Sequence, residues 1–331
     1  MDLDNDGHND LISGSWPGEV FFFKGTKDGS FAAPEMIKNK KGEIINIGGG
    51  FREGFDGMTL IAGSAKFERT SEGTFVNYQG ERIESTPEKP IGITGTASAA
   101  HAADWDDDGD YDLIIGDYYG KVYLVPNKGT PQSHAFGKEK RLRAAGKPID
   151  VKKGAGPFAA DWDGDGDLDL LVGADDGSVR LYRNTGSAQS PELASAVQLV
   201  SPSEISRSQH PKDVRRGIRA KICVADWNGD GLLDLLVGDR ATQKPDRPEP
   251  TPEEKAEYDR IREELKPIQN RYGELSQKLH GPSRVTTTEQ IEQIQEEMGE
   301  VRKRMTELRS KLPREYETHG WVWLFLRTKA G

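Results

Sequence analysis

The stretch DWDGDGDLDLLVG, residues 161–173, sets five aspartates into nine consecutive positions and then turns apolar. Nearly the same phrase recurs without gaps as DLDNDGHNDLISG from Asp2, DWDDDGDYDLIIG from Asp104 and DWNGDGLLDLLVG from Asp226. Self-similarity of this kind makes the chain an array of like units rather than one compact core. Each phrase leads through a tight turn into a second alternating stretch: GEVFFFKG (18–25), GKVYLVPN (120–127), GSVRLYRN (177–184) and, far downstream, GWVWLFLR (320–327). Period-two alternation bounded by glycine reads as strands, and the common turn length reads as a common hairpin. Upstream, GPFAADW and KICVADW supply a strand into the acidic loop, and KGEIINIGG, EKPIGITGT and GKPIDVKKG recur in the linking stretches. Tandem four-stranded antiparallel units predict an all-β fold, a β-propeller with four or five blades covered and the ring incomplete. The blades are assigned to 1–239 and 319–331.

Numbering each loop from its first aspartate, side-chain oxygens fall at positions 1, 3, 5 and 9 and glycine at position 6. Such a loop can turn positions 1, 3 and 5 toward one centre while glycine permits the reversal. Unneutralised carboxylates a few ångströms apart repel by about 1–4 kcal/mol per pair, and a hard divalent cation removes that cost. All-oxygen ligands, with a main-chain carbonyl from position 7, favour calcium over zinc or copper. The expected side-chain ligands are Asp2, Asp4, Asp6 and Asp10; Asp104, Asp106, Asp108 and Asp112; Asp161, Asp163, Asp165 and Asp169; Asp226, Asn228, Asp230 and Asp234. His8, Asp110, Asp167 and Leu232 would offer the carbonyl. This is not an EF-hand, because position 12 is Ser13, Ile115, Val172 or Val237 rather than glutamate. The fourth loop, with Asn228, has one charge fewer and is expected to bind most weakly. Solvated Asp-Gly turns are the competing reading.

These phrases, and GAGPFAADWDGDGDLDLLVG (154–173) most closely, resemble the FG-GAP or VCBS-type repeats of integrin α-subunit propellers and many secreted bacterial proteins. The resemblance covers about 250 residues. It implies a calcium-stabilised propeller with about four Ca2+ sites whose ligands are positions 1, 3, 5 and 9, in a family mostly of adhesion and binding modules.

In the fourth copy the hairpin is interrupted: after Gly238 the strand resumes only at Gly320. Past a Pro-rich neck, TQKPDRPEPTPEE, apolar residues fall at Tyr258, Ile261, Leu265, Ile268, Tyr272, Leu275 and Leu279, and again at Ile291, Ile294, Met298, Val301, Met305, Leu308 and Leu312. Two heptad stripes joined by HGPSRVTT predict an antiparallel helical coiled-coil hairpin over 251–313. Thr251-Pro252-Glu253-Glu254 reads as a capping box, Gly281-Pro282 as a stop, and Pro267 as a kink. Its charged remainder is either a solvated face or a partner surface. Asp2 and Asp104 lie 102 residues apart, against 57 and 65 for the later loops, so residues 50–90 are an insertion or a degenerate blade.

Lys and Arg number 45 against 55 Asp and Glu, a net charge of −10 clustered in the loops, which favours a cation over nucleic acid as partner. Four dications would bring that to about −2. The single cysteine, Cys223, excludes an internal disulfide and is expected to be buried beside one of Trp105, Trp162 and Trp227, themselves expected to pack between blades. No apolar stretch is long enough to span a membrane. The tight turns, and the helical hairpin with them, fall opposite the acidic loops, and Trp16, Tyr118 and Tyr119 on that side either pack on neighbouring turns or meet a protein or carbohydrate. The first copy lacks an opening strand and the last a closing one, which predicts a piece of a longer chain whose export signal lay upstream, in a secreted, periplasmic or cell-surface protein. A non-catalytic binding or adhesion scaffold is the favoured function, and an extracellular polysaccharide lyase or hydrolase the alternative.

Overall fold

The computed structural model describes residues 1–47, 50–53, 59–62, 65–70, 72–78, 80–86, 89–204, 207–212, 215–280, 285 and 287–328. The protein is mostly β, with antiparallel sheets and two helices. The first sheet holds β1 (Leu11–Gly14), β2 (Val20–Phe23) and β3 (Glu35–Met36). Next come β4 (Gly50–Glu53), β5 (Thr59–Ala62), β6 (Ala65–Thr70), β7 (Gly73–Tyr78), β8 (Glu81–Ser85) and β9 (Ile91–Thr94). These form two three-stranded sheets, β4-β5-β9 and β6-β7-β8, and β5 pairs with β9 in parallel.

The second unit is the meander β10 (Ala99–Ala103), β11 (Asp112–Gly116), β12 (Val122–Val125) and β13 (Lys140–Arg141), followed by a ribbon of β14 (Arg143–Ala144) and β15 (Lys147–Pro148). The third repeats it with β16 (Gly156–Ala160), β17 (Asp169–Gly173), β18 (Val179–Tyr182) and β19 (Val197–Val200). The registers agree: Ala103 pairs with Asp112 and Leu113 with Val125, as Ala160 pairs with Asp169 and Leu170 with Tyr182. The last unit contains β20 (Arg207–Ser208), β21 (Ile218–Ala225) and β22 (Asp234–Gln243). After α1 (Pro252–His280) and α2 (Thr288–Ser310) it is completed by β23 (Glu317–His319) and β24 (Val322–Phe325), both paired to β22. Among the described residues no sheet closes on itself.

The core lies between the sheets. Leu3, Ile12 and Val20 of the first unit meet Leu113, Ile115 and Phe136 of the second. Ile114, Val122 and Trp105 of the second meet Leu170, Val172 and Tyr182 of the third, and Leu171, Leu181 and Trp162 of the third meet Ala220, Leu235 and Val237 of the fourth. Strands β11 and β17 are therefore buried on both faces, which is why DLIIG and DLLVG read as unbroken apolar runs. The glycine closing each of the first three phrases sets the spacing. A Cβ on Gly14, Gly116 or Gly173 would clash with the Ser98, Ala155 or Ala220 carbonyl oxygen of the following unit.

Two expectations fail at the outer sheet. Trp105 and Trp162 are buried, but Trp227 is 62 % exposed, because among the described residues no later sheet covers it. Cys223 is exposed, since Ile222 and Val224 take the inner face of β21 and leave it on the outer one.

In the helices Thr251 forms the expected capping box: its N–H donates to Glu254 Oε2 at 2.7 Å, and Glu254 N–H to Thr251 Oγ1 at 3.2 Å. Helix α1 continues through Pro267. Gly281 and Pro282 lie outside the described residues. Ile261, Leu265 and Leu308 form a small cluster, and Arg271 with Glu297 and Arg304 with Glu264 bridge the helices in opposite chain order, so they run antiparallel.

Gly116→Ala should cost about 1–3 kcal/mol by forcing two sheets apart. Gly238→Ala, whose nearest neighbour would be the Lys221 carbonyl at 3.6 Å, should be neutral or slightly stabilising. Equal effects of the two in urea unfolding would refute this account of the sheet spacing.

Candidate metal centre

Each acidic loop folds around its first aspartate. Asp2 accepts the N–H groups of Asp6 and Gly7, and Asp104 those of Asp108 and Gly109. Asp161 and Asp226 accept three each, from Gly164, Asp165 and Gly166 and from Gly229, Asp230 and Gly231. The position 5 carboxylate then accepts the N–H of position 7, at 3.0 Å from His8 to Asp6 and 2.9 Å from Leu232 to Asp230. Two residues per loop are left-handed. Position 6 is glycine throughout, and position 4 is Asn5, Asp107, Gly164 or Gly229, all of types that tolerate positive φ.

This wrapping turns the side chains toward one point. Ligand atoms of Asp2, Asp4 and Asp10, of Asp104, Asp106 and Asp108, and of Asp161, Asp163 and Asp165 lie within 4.8 Å of one another in each loop. Asp6 is drawn aside onto Lys24, its carboxylate 2.8 Å from the ammonium, which holds it below the usual aspartate range. In the fourth loop Asn228 donates to Asp230 at 3.0 Å.

The first three loops share one anomaly. Asp4 Oδ1, Asp106 Oδ1 and Asp163 Oδ1, the same atom at position 3, are buried and have no hydrogen-bond partner. Asp110 Oδ1, Asp167 Oδ1 and Asp112 Oδ2 are in the same state. Buried carboxylate oxygens are normally satisfied, so these atoms are suited to a positive ligand. Position 7 therefore offers an unpartnered side-chain oxygen in two loops. Burial, then the neighbouring carboxylates, pushes Asp112 up to about 7 and Asp169 up to about 6, and raises Asp110 and Asp167. Asp112 is fully buried, with the carboxylates of Asp106, Asp108 and Asp110 acting on it.

Position 9 has a second task that the loop spacing does not announce. Asp10, Asp112, Asp169 and Asp234 are buried and accept the N–H of Gly25, Asn127, Asn184 and Arg327, just beyond the third strand. Asp10, Asp169 and Asp234 also accept the position 2 N–H of their own loops. Asn127 and Asn184 organise matching turns: Asn127 Oδ1 accepts from Gly129 and Ala135, and Asn184 Oδ1 from Gly186 and Glu192. The signal was present in NKGTPQS and NTGSAQS, spaced like the loops themselves. Neighbouring units also clasp the loops. His134 Nε2 lies 3.1 Å from the Leu3 carbonyl, and Arg327 donates to the Trp162 carbonyl beneath its guanidinium.

On the opposite side, Trp16 is 64 % exposed and meets Tyr118 edge-on with centroids 6.1 Å apart. Tyr118 meets Tyr119 in the same way at 5.6 Å, and the Lys153 ammonium sits 5.0 Å from the Tyr118 ring. The three residues form one cluster across two turns.

A family model described as FG-GAP-like repeat matches residues 104–172 and 161–237, so the third acidic loop closes one match and opens the next. Among solved structures the chain is similar to one described as the Pseudomonas aeruginosa periplasmic gluconolactonase PpgL. The identity is 17 % and the TM-score 0.28, with 72 % of this chain and 64 % of that one covered. This chain thus spans less than two thirds of that structure's length. No curated protein matches.

A carboxyl raised in the folded state favours folding when protonated, so its contribution is present below the ordinary aspartate pKa and lost as pH rises through the folded value. Without added cation, Asp112→Asn should therefore gain stability over the parent between about pH 4 and 7. Parallel pH profiles of melting temperature would show that Asp112 carries no such burden.

Proposed function

Because this chain carries FG-GAP-like repeats at residues 104–172 and 161–237, we propose that it is a calcium-stabilised β-propeller module. On this reading it acts outside the cytoplasm as a non-catalytic binding or adhesion scaffold for protein or carbohydrate. The observation that carries the metal reading is the recurrence of a buried, unpartnered position 3 oxygen in three independent loops. One such atom is an accident of packing, whereas three equivalent ones describe a place prepared for the same ligand. Calcium suits the donor set, which is wholly oxygen, flexible and highly charged.

Positions 1, 3, 5 and 9 would supply carboxylates, with Asn228 in the fourth loop, and position 7 its carbonyl. The ion would neutralise the cluster and replace the proton on Asp112 and Asp169. Position 9 also holds the turn after the third strand, so filling a loop would stiffen the whole unit and the clasp to its neighbour. Two four-stranded antiparallel sheets, packed against the three-stranded first sheet and the five-stranded last one, support the propeller reading, each sheet serving as one blade. Binding is assigned to the side away from the loops, where Trp16 and Tyr119 combine exposure with fixed geometry.

Calcium should raise the melting temperature in a saturable way that magnesium does not reproduce. The rise should be larger at pH 8 than at pH 5, because protons held by Asp112 and Asp169 must leave first. Identical melting in calcium and chelator at pH 8 would remove the metal from this proposal.

A further inference from the structure

In the first two loops one lysine bridges two aspartates of the loop, an arrangement that the third and fourth loops lack among the described residues. Lys24 reaches Asp4 Oδ2 and lies 2.8 Å from Asp6 Oδ2, while Lys128 lies 2.6 Å from Asp106 Oδ2 and 3.3 Å from Asp108 Oδ2. Each ammonium therefore bridges positions 3 and 5. The two lysines do not occupy the same place in the repeat. Lys24 precedes Gly25, the residue whose N–H meets the position 9 aspartate, whereas Lys128 follows Asn127, its counterpart. Side chains arriving from opposite sides of one anchor at the same pair of carboxylates point to a shared electrostatic role. In the third loop Arg183, at the repeat position of Lys24, pairs with position 3 alone, 3.7 Å from Asp163, and among the described residues the fourth-loop aspartates form no ion pair.

We propose that Lys24 and Lys128 are built-in counter-ions that stabilise the cation-free first and second loops and thereby lower their affinity for a divalent cation. The inference rests on the calcium reading above. In both loops the ammonium holds Oδ2 of position 3 and leaves Oδ1 buried and unpartnered, free for a cation. The lysine thus relieves carboxylate repulsion when the loop is empty and opposes the dication when it is filled. A group that favours the empty state over the filled one weakens binding by the same factor.

The test compares the parent chain with Lys24→Met/Lys128→Met and with Lys24→Arg/Lys128→Arg, by calorimetric calcium titration and by thermal unfolding in chelator and in saturating calcium. The methionine variant should lower the melting temperature in chelator, match or exceed the parent in saturating calcium, and bind calcium about three- to tenfold more tightly. The arginine variant, which keeps the charge, should stay close to the parent. Should the methionine variant melt lower by the same amount in both conditions, with affinities unchanged or weaker, the lysines are merely structural and the inference is wrong. If the parent itself gives no calcium heat, the calcium reading fails first and the inference with it. That result is distinguishable, because it appears before any variant is examined.

Discussion

The arrangement depends on a carboxylate that is buried and already engaged. The position 9 aspartate ties the acidic loop, its own strand and the turn beyond the third strand into one hydrogen-bonded node. Burying such a group costs several kcal/mol unless its oxygens are satisfied, and the backbone N–H groups of two separate segments meet that requirement. The cost of failing to do so is visible at Asp112, whose second oxygen is unpartnered and whose carboxyl is pushed highest. Loop geometry and sheet geometry are therefore one problem. A cation at the loop centre would act on a carboxylate that also fixes the hairpin.

Stacking extends the node along the array. Position 10 to 12 side chains alternate between the preceding and the following sheet, so β11 and β17 have no solvent face, and the glycine at position 13 lets the next backbone approach. Position 2 sends its side chain into the same interface while its carbonyl receives the neighbour's clasp, as at Leu3 and Trp162. Thirteen residues thus encode a loop, a strand and both contacts of a unit with its neighbours, which explains why this phrase recurs while the sequence around it drifts.

Much of this was legible because charge and periodicity are local. The four loops, the hairpins after them, the interrupted last hairpin and the amphipathic stripes of the helices follow from spacing alone. The Asn127 and Asn184 turns were equally repeated but carry no charge or apolar period, and they emerge only once the position 9 bonds are seen. Trp227 and Cys223 misled for another reason. Their neighbourhood was inferred from inner units, and at the outer sheet that neighbour is missing among the described residues, so the same residue type meets solvent. Lys24 and Lys128 escaped because they act from non-equivalent positions, which sequence alignment separates and folding brings together.

The helical insertion shows which part of a unit is free to change. The ladder from Leu235–Phe325 to Gly238–Val322 is intact across it, and β22 runs on to pair with β23 before the chain departs. An antiparallel helix pair returns its ends close to where they left, so a long excursion adds little to the closure entropy of the hairpin. Its own cluster of Ile261, Leu265 and Leu308, with the Arg271–Glu297 and Arg304–Glu264 pairs, makes it a separate packing unit. The other end of β22 begins at Asp234, a node residue, and an insertion there would break the bonds to Trp227 and Arg327. Variation is thus confined to the turn side of the array by the same carboxylates that fix the loop side, and the turn side is where a partner surface can diversify without disturbing the loops.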